Sequence, residues 1–119
     1  MNILFIQYPK CSTCQKAKKY LTQHNISFED RHIVDNNPTK EELSTWWKLS
    51  GLPLKKFFNT SGNVYKEMKL KDQLPMMSDD EQLTLLASNG MLVKRPILIK
   101  GDTVIVGFKE ENYKTLCSN

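Results

Sequence analysis

Arginine is scarce in this chain: Arg31 and Arg95 stand against fifteen lysines. Guanidinium forks are the usual readers of phosphates and base edges, so no direct DNA binding is expected. The lysines are scattered rather than gathered into a block, and they read as a solvated surface. No apolar run approaches the ~18–20 residues that span a bilayer, so no membrane association is expected. The opening stretch, MNILFIQYPKCS, has no basic n-region and does not read as a secretory signal. A cytoplasmic protein is the expectation. Cysteine is also sparse: Cys11, Cys14 and Cys117 are too few, and odd in number, for a secreted disulfide framework. His24 and His32 do not complete a zinc-ligand spacing with the cysteines, so neither a metal nor a bound cofactor is expected.

What is present is ordinary globular material. The 119 residues are 39% hydrophobic and 25% charged, with a formal net charge of +4. No repeat or linker interrupts the chain, and residues 1–119 read as a single domain. Residues 2–8 form an apolar run suited to a buried strand. Pro9 and Lys10 break it, and Ala17, Tyr20, Leu21 and His24 then recur at helical spacing. Ser12 and Gln15 have capping-box spacing, which predicts a helix opening at the cysteines and stopping at Asn25. A second strand is predicted over 27–34. Strand, helix and strand over this length make a βαβ unit with parallel strands.

Thr39 with Glu42, and Ser78 with Glu81, predict two further capped helices, closed by Gly51 and by Asn89-Gly90. Between them Leu54, Phe57 and Phe58 suggest a helical turn. One or two short helices over 64–74 end at Pro75. The chain then returns to β, with strands over 96–99 and 103–106 around a tight turn, Lys100-Gly101-Asp102. A last helix is predicted over 109–117, with Tyr113 and Leu116 facing inward. The expected architecture is α/β, with a mainly helical insert at about residues 38–90.

The sharpest chemical signal is Cys11-x-x-Cys14, placed after a strand and opening a helix. A helix N-terminus offers free N–H groups and the positive end of the helix dipole, both of which stabilise a thiolate. Lys10, Lys16, Lys18 and Lys19 add positive potential. Cys11 is expected to be the more exposed and more acidic thiol. Cys14, one turn on, is positioned to attack a mixed disulfide on Cys11. Arg95-Pro96 opens the third strand, and Arg95 is a candidate anion ligand. Cys117 reads as a free thiol or a third redox partner.

The segments YPKCSTCQKAKKYL, KRPILI and VGFKEENY together resemble the arsenate reductase (ArsC)/Spx family of thioredoxin-like proteins. The resemblance extends over essentially the whole chain, including KKFFNTSGNVYKE, and is nearest to the small Spx/MgsR-like proteins of Gram-positive bacteria. It implies a thioredoxin-like fold with a four-stranded mixed sheet, Cys11 as the redox centre and Pro96 as a cis proline beside it. It also implies an external reductant: thioredoxin, or a low-molecular-weight thiol with glutaredoxin. Catalytic roles then fall to Cys11, Cys14 and Arg95, and substrate contacts to Lys10, Ser12, Pro96 and Lys109. Of the three arginines with which the family's arsenate reductases hold the oxyanion, only Arg95 is matched. The others fall near Lys55 or Lys56 and near Lys109, so arsenate is not the expected substrate. Two functions follow from the resemblance: a thiol–disulfide oxidoreductase, or an Spx-like redox-sensing transcriptional regulator that binds RNA polymerase.

Overall fold

The computed structural model describes residues 2–117, with side chains through Leu116. Strand β1 (Ile3–Gln7) lies at the centre of a mixed four-stranded sheet of order β2-β1-β3-β4. β2 (Glu29–His32) pairs with it in parallel, Leu4 opposite Glu29 and Gln7 opposite His32. β3 (Ile97–Lys100) pairs on the other side antiparallel, Phe5 opposite Leu98. β4 (Thr103–Val106) closes a hairpin with β3 across a turn in which Gly101 adopts a φ of 59°. Helices α1 (Ser12–Gln23), α2 (Lys40–Ser50), α3 (Asn63–Glu67), α4 (Leu70–Gln73), α5 (Asp79–Ser88) and α6 (Glu110–Cys117) complete the thioredoxin-like α/β arrangement.

The period-two alternation of the strands divides the core between the two sheet faces. Ile3, Phe5 and Leu98 pack with Ala17, Tyr20 and Leu21 of α1 and Tyr113 of α6. Ile6, Ile97 and Ile99 face the other way, onto Leu43, Trp46, Phe57, Leu83 and Leu86 of the helical insert. Each large apolar side chain buried in this way contributes roughly 1.5–3 kcal/mol. The two faces hold α1 and the insert on opposite sides of β1 and β3, whose ends carry the cysteines and Arg95.

Most predicted elements form near their expected bounds, and three depart. β2 spans four residues rather than 27–34, because the chain turns directly after His32. There the backbone N–H groups of Val34 and Asp35 both donate to His32 Nδ1, at 3.1 Å. The Ser12–Gln15 box does not form. Cys11 itself takes the N-cap position in an extended conformation, and the Gln15 amide turns back to donate to the Pro9 carbonyl at 2.9 Å. The last strand pair starts one residue late, at Ile97 rather than Pro96. The Thr39–Glu42 and Ser78–Glu81 boxes close in both directions.

Candidate functional site

Cys11 stands where β1 hands over to α1. Its N–H donates to the Tyr8 carbonyl at 3.0 Å, which folds Pro9 and Lys10 into a tight turn and sets Cys11 as the helix N-cap. The thiol does not close a cap hydrogen bond, yet it lies under the free N–H groups of the first turn. Partial burial works against the thiolate. The Cys14 N–H, the Cys14 thiol and the Arg95 guanidinium outweigh it and hold the Cys11 pKa below the ordinary thiol value.

Cys14 is fully buried, and its Sγ accepts from the Tyr8 N–H at 3.5 Å. Burial and the neighbouring Cys11 sulfur push its thiol up to about 12. The two cysteines therefore differ as the sequence suggests: one accessible and acidic, the other sheltered and protonated. The thiol of Cys117 lies outside the described side chains.

Arg95 approaches from the segment that leads into β3, and the Arg95–Pro96 peptide is cis. Its guanidinium stacks over the Tyr8 ring, 5.0 Å from the centroid. Nε and Nη1 are buried and have no hydrogen-bond partner among the described residues. A half-buried guanidinium with two unused, buried donor nitrogens beside a thiol is a site for anionic acceptor atoms. Pro96, next in the chain, is buried, and its carbonyl accepts from the N–H of Gly107 at 2.8 Å. Gly107 takes a φ of 84°, where glycine is favoured.

A cavity of about 380 Å³ opens at Cys11. Arg95 and Lys94 form one side, and Asn59, Ser61 and Asn63 the other. Main-chain pairing brings these sides together: Asn59 N–H donates to the Leu92 carbonyl at 2.8 Å, and Lys94 N–H to the Phe57 carbonyl at 2.7 Å. Gly62 keeps the cavity shaped, since a Cβ there would press on the Asn59 amide.

Of the residues singled out from sequence, Cys11, Cys14 and Arg95 converge. Lys10 and Ser12 flank Cys11 in the chain, are exposed and do not line the cavity, and Pro96 is buried and does not line it either. Lys109 does not reach this site; it lines a separate groove with Lys55 and Lys56. Asn59, Ser61, Asn63 and Lys94 escaped sequence reasoning. The polar run Asn59-Thr-Ser-Gly-Asn63 was the available signal, but it reads equally as a loop. His24 and His32 have local roles: His24 Nδ1–H donates to the Tyr20 carbonyl at 2.8 Å and its ring stacks on Tyr20. Among the described residues no three His, Cys, Asp or Glu side chains are grouped to hold a metal. No helix among them is long and apolar enough to cross a membrane.

Comparison with known proteins bears on the whole chain. The ArsC family model matches residues 6–116. The uncharacterised protein YusI of Bacillus subtilis is 54% identical over 114 residues, covering 96% of this chain and 97% of YusI. The regulatory protein MgsR of the same organism is 31% identical over 90% of this chain and 83% of its own. A crystal structure of an ArsC family related protein from Bacteroides fragilis superposes with a TM-score of 0.94 at 60% identity, over 98% of both chains.

Proposed function

The chain belongs to the ArsC family, and from that premise we propose that it is a thiol–disulfide oxidoreductase working through Cys11 and Cys14. The observation that carries this reading is the asymmetry of the pair. Cys11 is the acidic thiol at a cavity mouth, and Cys14 is the buried thiol beneath it, held at about 12.

The Cys11 thiolate attacks one sulfur of a substrate disulfide. The substrate S–S bond breaks, and the leaving sulfur departs with the electron pair and takes up a proton. Arg95 and the first-turn N–H groups stabilise the attacking thiolate, and Lys10 and Ser12 border its exposed face. Once Cys11 carries the mixed disulfide, Cys14 loses its proton and attacks Cys11 Sγ, expelling the second substrate thiolate. The protein is left oxidised by two electrons. An external dithiol of the thioredoxin type, or a low-molecular-weight thiol with glutaredoxin, restores it. That cycle suits a reducing cytoplasm. On this reading residues 1–119 act as one domain.

The test is NADPH consumption in the presence of thioredoxin reductase, thioredoxin and bis(hydroxyethyl) disulfide. Turnover should require the protein and vanish in both Cys11→Ser and Cys14→Ser variants. Turnover undiminished in Cys11→Ser would overturn the assignment.

The likeness to MgsR favours one second reading, a redox-sensing regulator. In that case oxidation of the same pair alters affinity for RNA polymerase without turnover. Oxidised protein would then retain polymerase from solution while the coupled assay stayed silent.

A further inference from the structure

A second groove, of about 630 Å³, gathers four lysines: Lys55, Lys56, Lys94 and Lys109. No Asp or Glu lines it, and none of the four lysines is in an ion pair with a described residue. They arrive from three separate places: the turn Leu54–Phe57, the segment before Arg95, and the residue just before α6. Converging like charges from distant segments is unfavourable for the isolated fold, so the arrangement points to an anionic occupant. The floor is apolar, formed by Val104 and Val106 of β4, which is an edge strand with β3 as its one neighbour in the sheet. Lys94 lines both this groove and the Cys11 cavity, so the two are separate but adjoin at that residue.

We propose that this groove docks an acidic, extended segment of the protein whose disulfide is exchanged at Cys11, and that it sets the preference for that partner. The proposal rests on the thiol–disulfide reading above. Carboxylates match the ammonium groups, apolar side chains between them match the valine floor, and an extended chain suits a groove along an edge strand. The lining has no arginine, and its aromatic residue, Phe58, is buried, so it offers neither bidentate phosphate forks nor a stacking platform for bases. In the docked complex the Cys11–sulfur bond forms as the partner's S–S bond breaks. The leaving sulfur takes the electron pair and a proton. Cys14 then expels the other partner thiolate, and the dithiol reductant returns the two electrons.

The probe is a short Glu-Val repeat peptide carrying one cysteine as its mixed disulfide with thionitrobenzoate, compared with the same peptide bearing Gln in place of Glu. Release of thionitrobenzoate by the reduced full-length protein is followed by absorbance. The acidic peptide should react about tenfold faster at low ionic strength, in the range of electrostatic steering. That advantage should collapse at about 0.5 M salt. K55E/K56E should abolish it and the neutral K55Q/K56Q should reduce it, while both variants turn over bis(hydroxyethyl) disulfide as the wild type does. Equal rates for the two peptides would overturn the groove assignment and leave the thiol chemistry standing. No release from either peptide, together with no turnover of bis(hydroxyethyl) disulfide, would instead remove the thiol reading beneath it. A short oligodeoxynucleotide that binds more tightly than the acidic peptide, and loses binding in K55E/K56E, would assign the groove to nucleic acid and overturn the proposal.

Discussion

Cys11 and Cys14 are three residues apart and have opposite chemistry, because one caps the helix and the other sits inside it. Alkylation by iodoacetamide, mapped by mass spectrometry against pH, should label Cys11 first, with a midpoint below that of an ordinary thiol. Cys14 should stay unlabelled until far more alkaline pH, consistent with its value of about 12. Arg95 stabilises the thiolate form of Cys11, so its loss acts in one direction only. In Arg95→Gln the Cys11 midpoint should move up and the rate at neutral pH should fall. A second residue-scale expectation concerns arsenate. Arg95 is the one guanidinium at the cavity, with Asn59 and Lys94 as its neighbours there. Each missing charge-assisted contact costs roughly 1.5–3 kcal/mol. Two such losses lower efficiency by roughly two to four orders of magnitude if they add. Coupled arsenate reduction should therefore be slow with both glutaredoxin–glutathione and thioredoxin. Cys11, Cys14 and Arg95 were legible because each is a rare residue type in a telling position. Asn59 was not, because a loop amide acquires a role only when main-chain pairing carries it across to Lys94.

At the scale of elements, β2 and α2 are fastened by one bidentate pair. Arg31 donates to both Glu42 oxygens, at 2.7 and 2.8 Å, and Oε1 of the same carboxylate accepts the Thr39 N–H at 2.9 Å. The Arg31 hydrogen bonds come first among the causes that lower the Glu42 pKa to about 2. A depressed carboxylate contributes stability that is fully present above its unfolded value. That contribution is lost as pH falls from about 4.5 towards about 2. Glu42→Gln should cost about 1–2 kcal/mol at neutral pH, a figure that allows for solvent screening of a partly exposed pair. Urea unfolding should show the difference between variant and wild type narrowing across that acid window. The helix was legible here because Thr39-x-x-Glu42 is a local code, whereas its partner Arg31 lies on another element. Ser12-x-x-Gln15 has the same spacing and does not form a box. The turn at Pro9–Lys10 moves the N-cap back to Cys11, an effect of the preceding strand that spacing alone does not carry.

For the whole molecule, the sheet joins two cores that share β1 and β3. Leu86, fully buried among the insert residues, should lose roughly 2–5 kcal/mol on conversion to Ala. Its side chain packs in the insert core and does not line the Cys11 cavity, so Cys11 alkylation in the folded Leu86→Ala protein should keep the wild-type pH profile. Gly90 tests how closely the insert approaches the turn after β2: a Cβ there would collide with the Ile33 carbonyl, and Gly90→Ala should lower the urea midpoint. The α/β order and the hairpin were readable from alternation and turn residues. The assignment of Lys55, Lys56 and Lys109 to a groove of their own was not, because exposed lysines carry no periodicity that reveals where separate segments meet. The central claim is that Cys11 attacks and Cys14 resolves. Intact-mass and peptide mapping after reaction with glutathione disulfide tests it most directly. Wild-type protein should lose two hydrogens as the Cys11–Cys14 disulfide and hold no adduct on either of these cysteines, while Cys14→Ser should retain one glutathione on Cys11. A stable glutathione adduct on wild-type Cys11, or an adduct forming on Cys14 in Cys11→Ser as fast as on Cys11 in Cys14→Ser, would contradict the account.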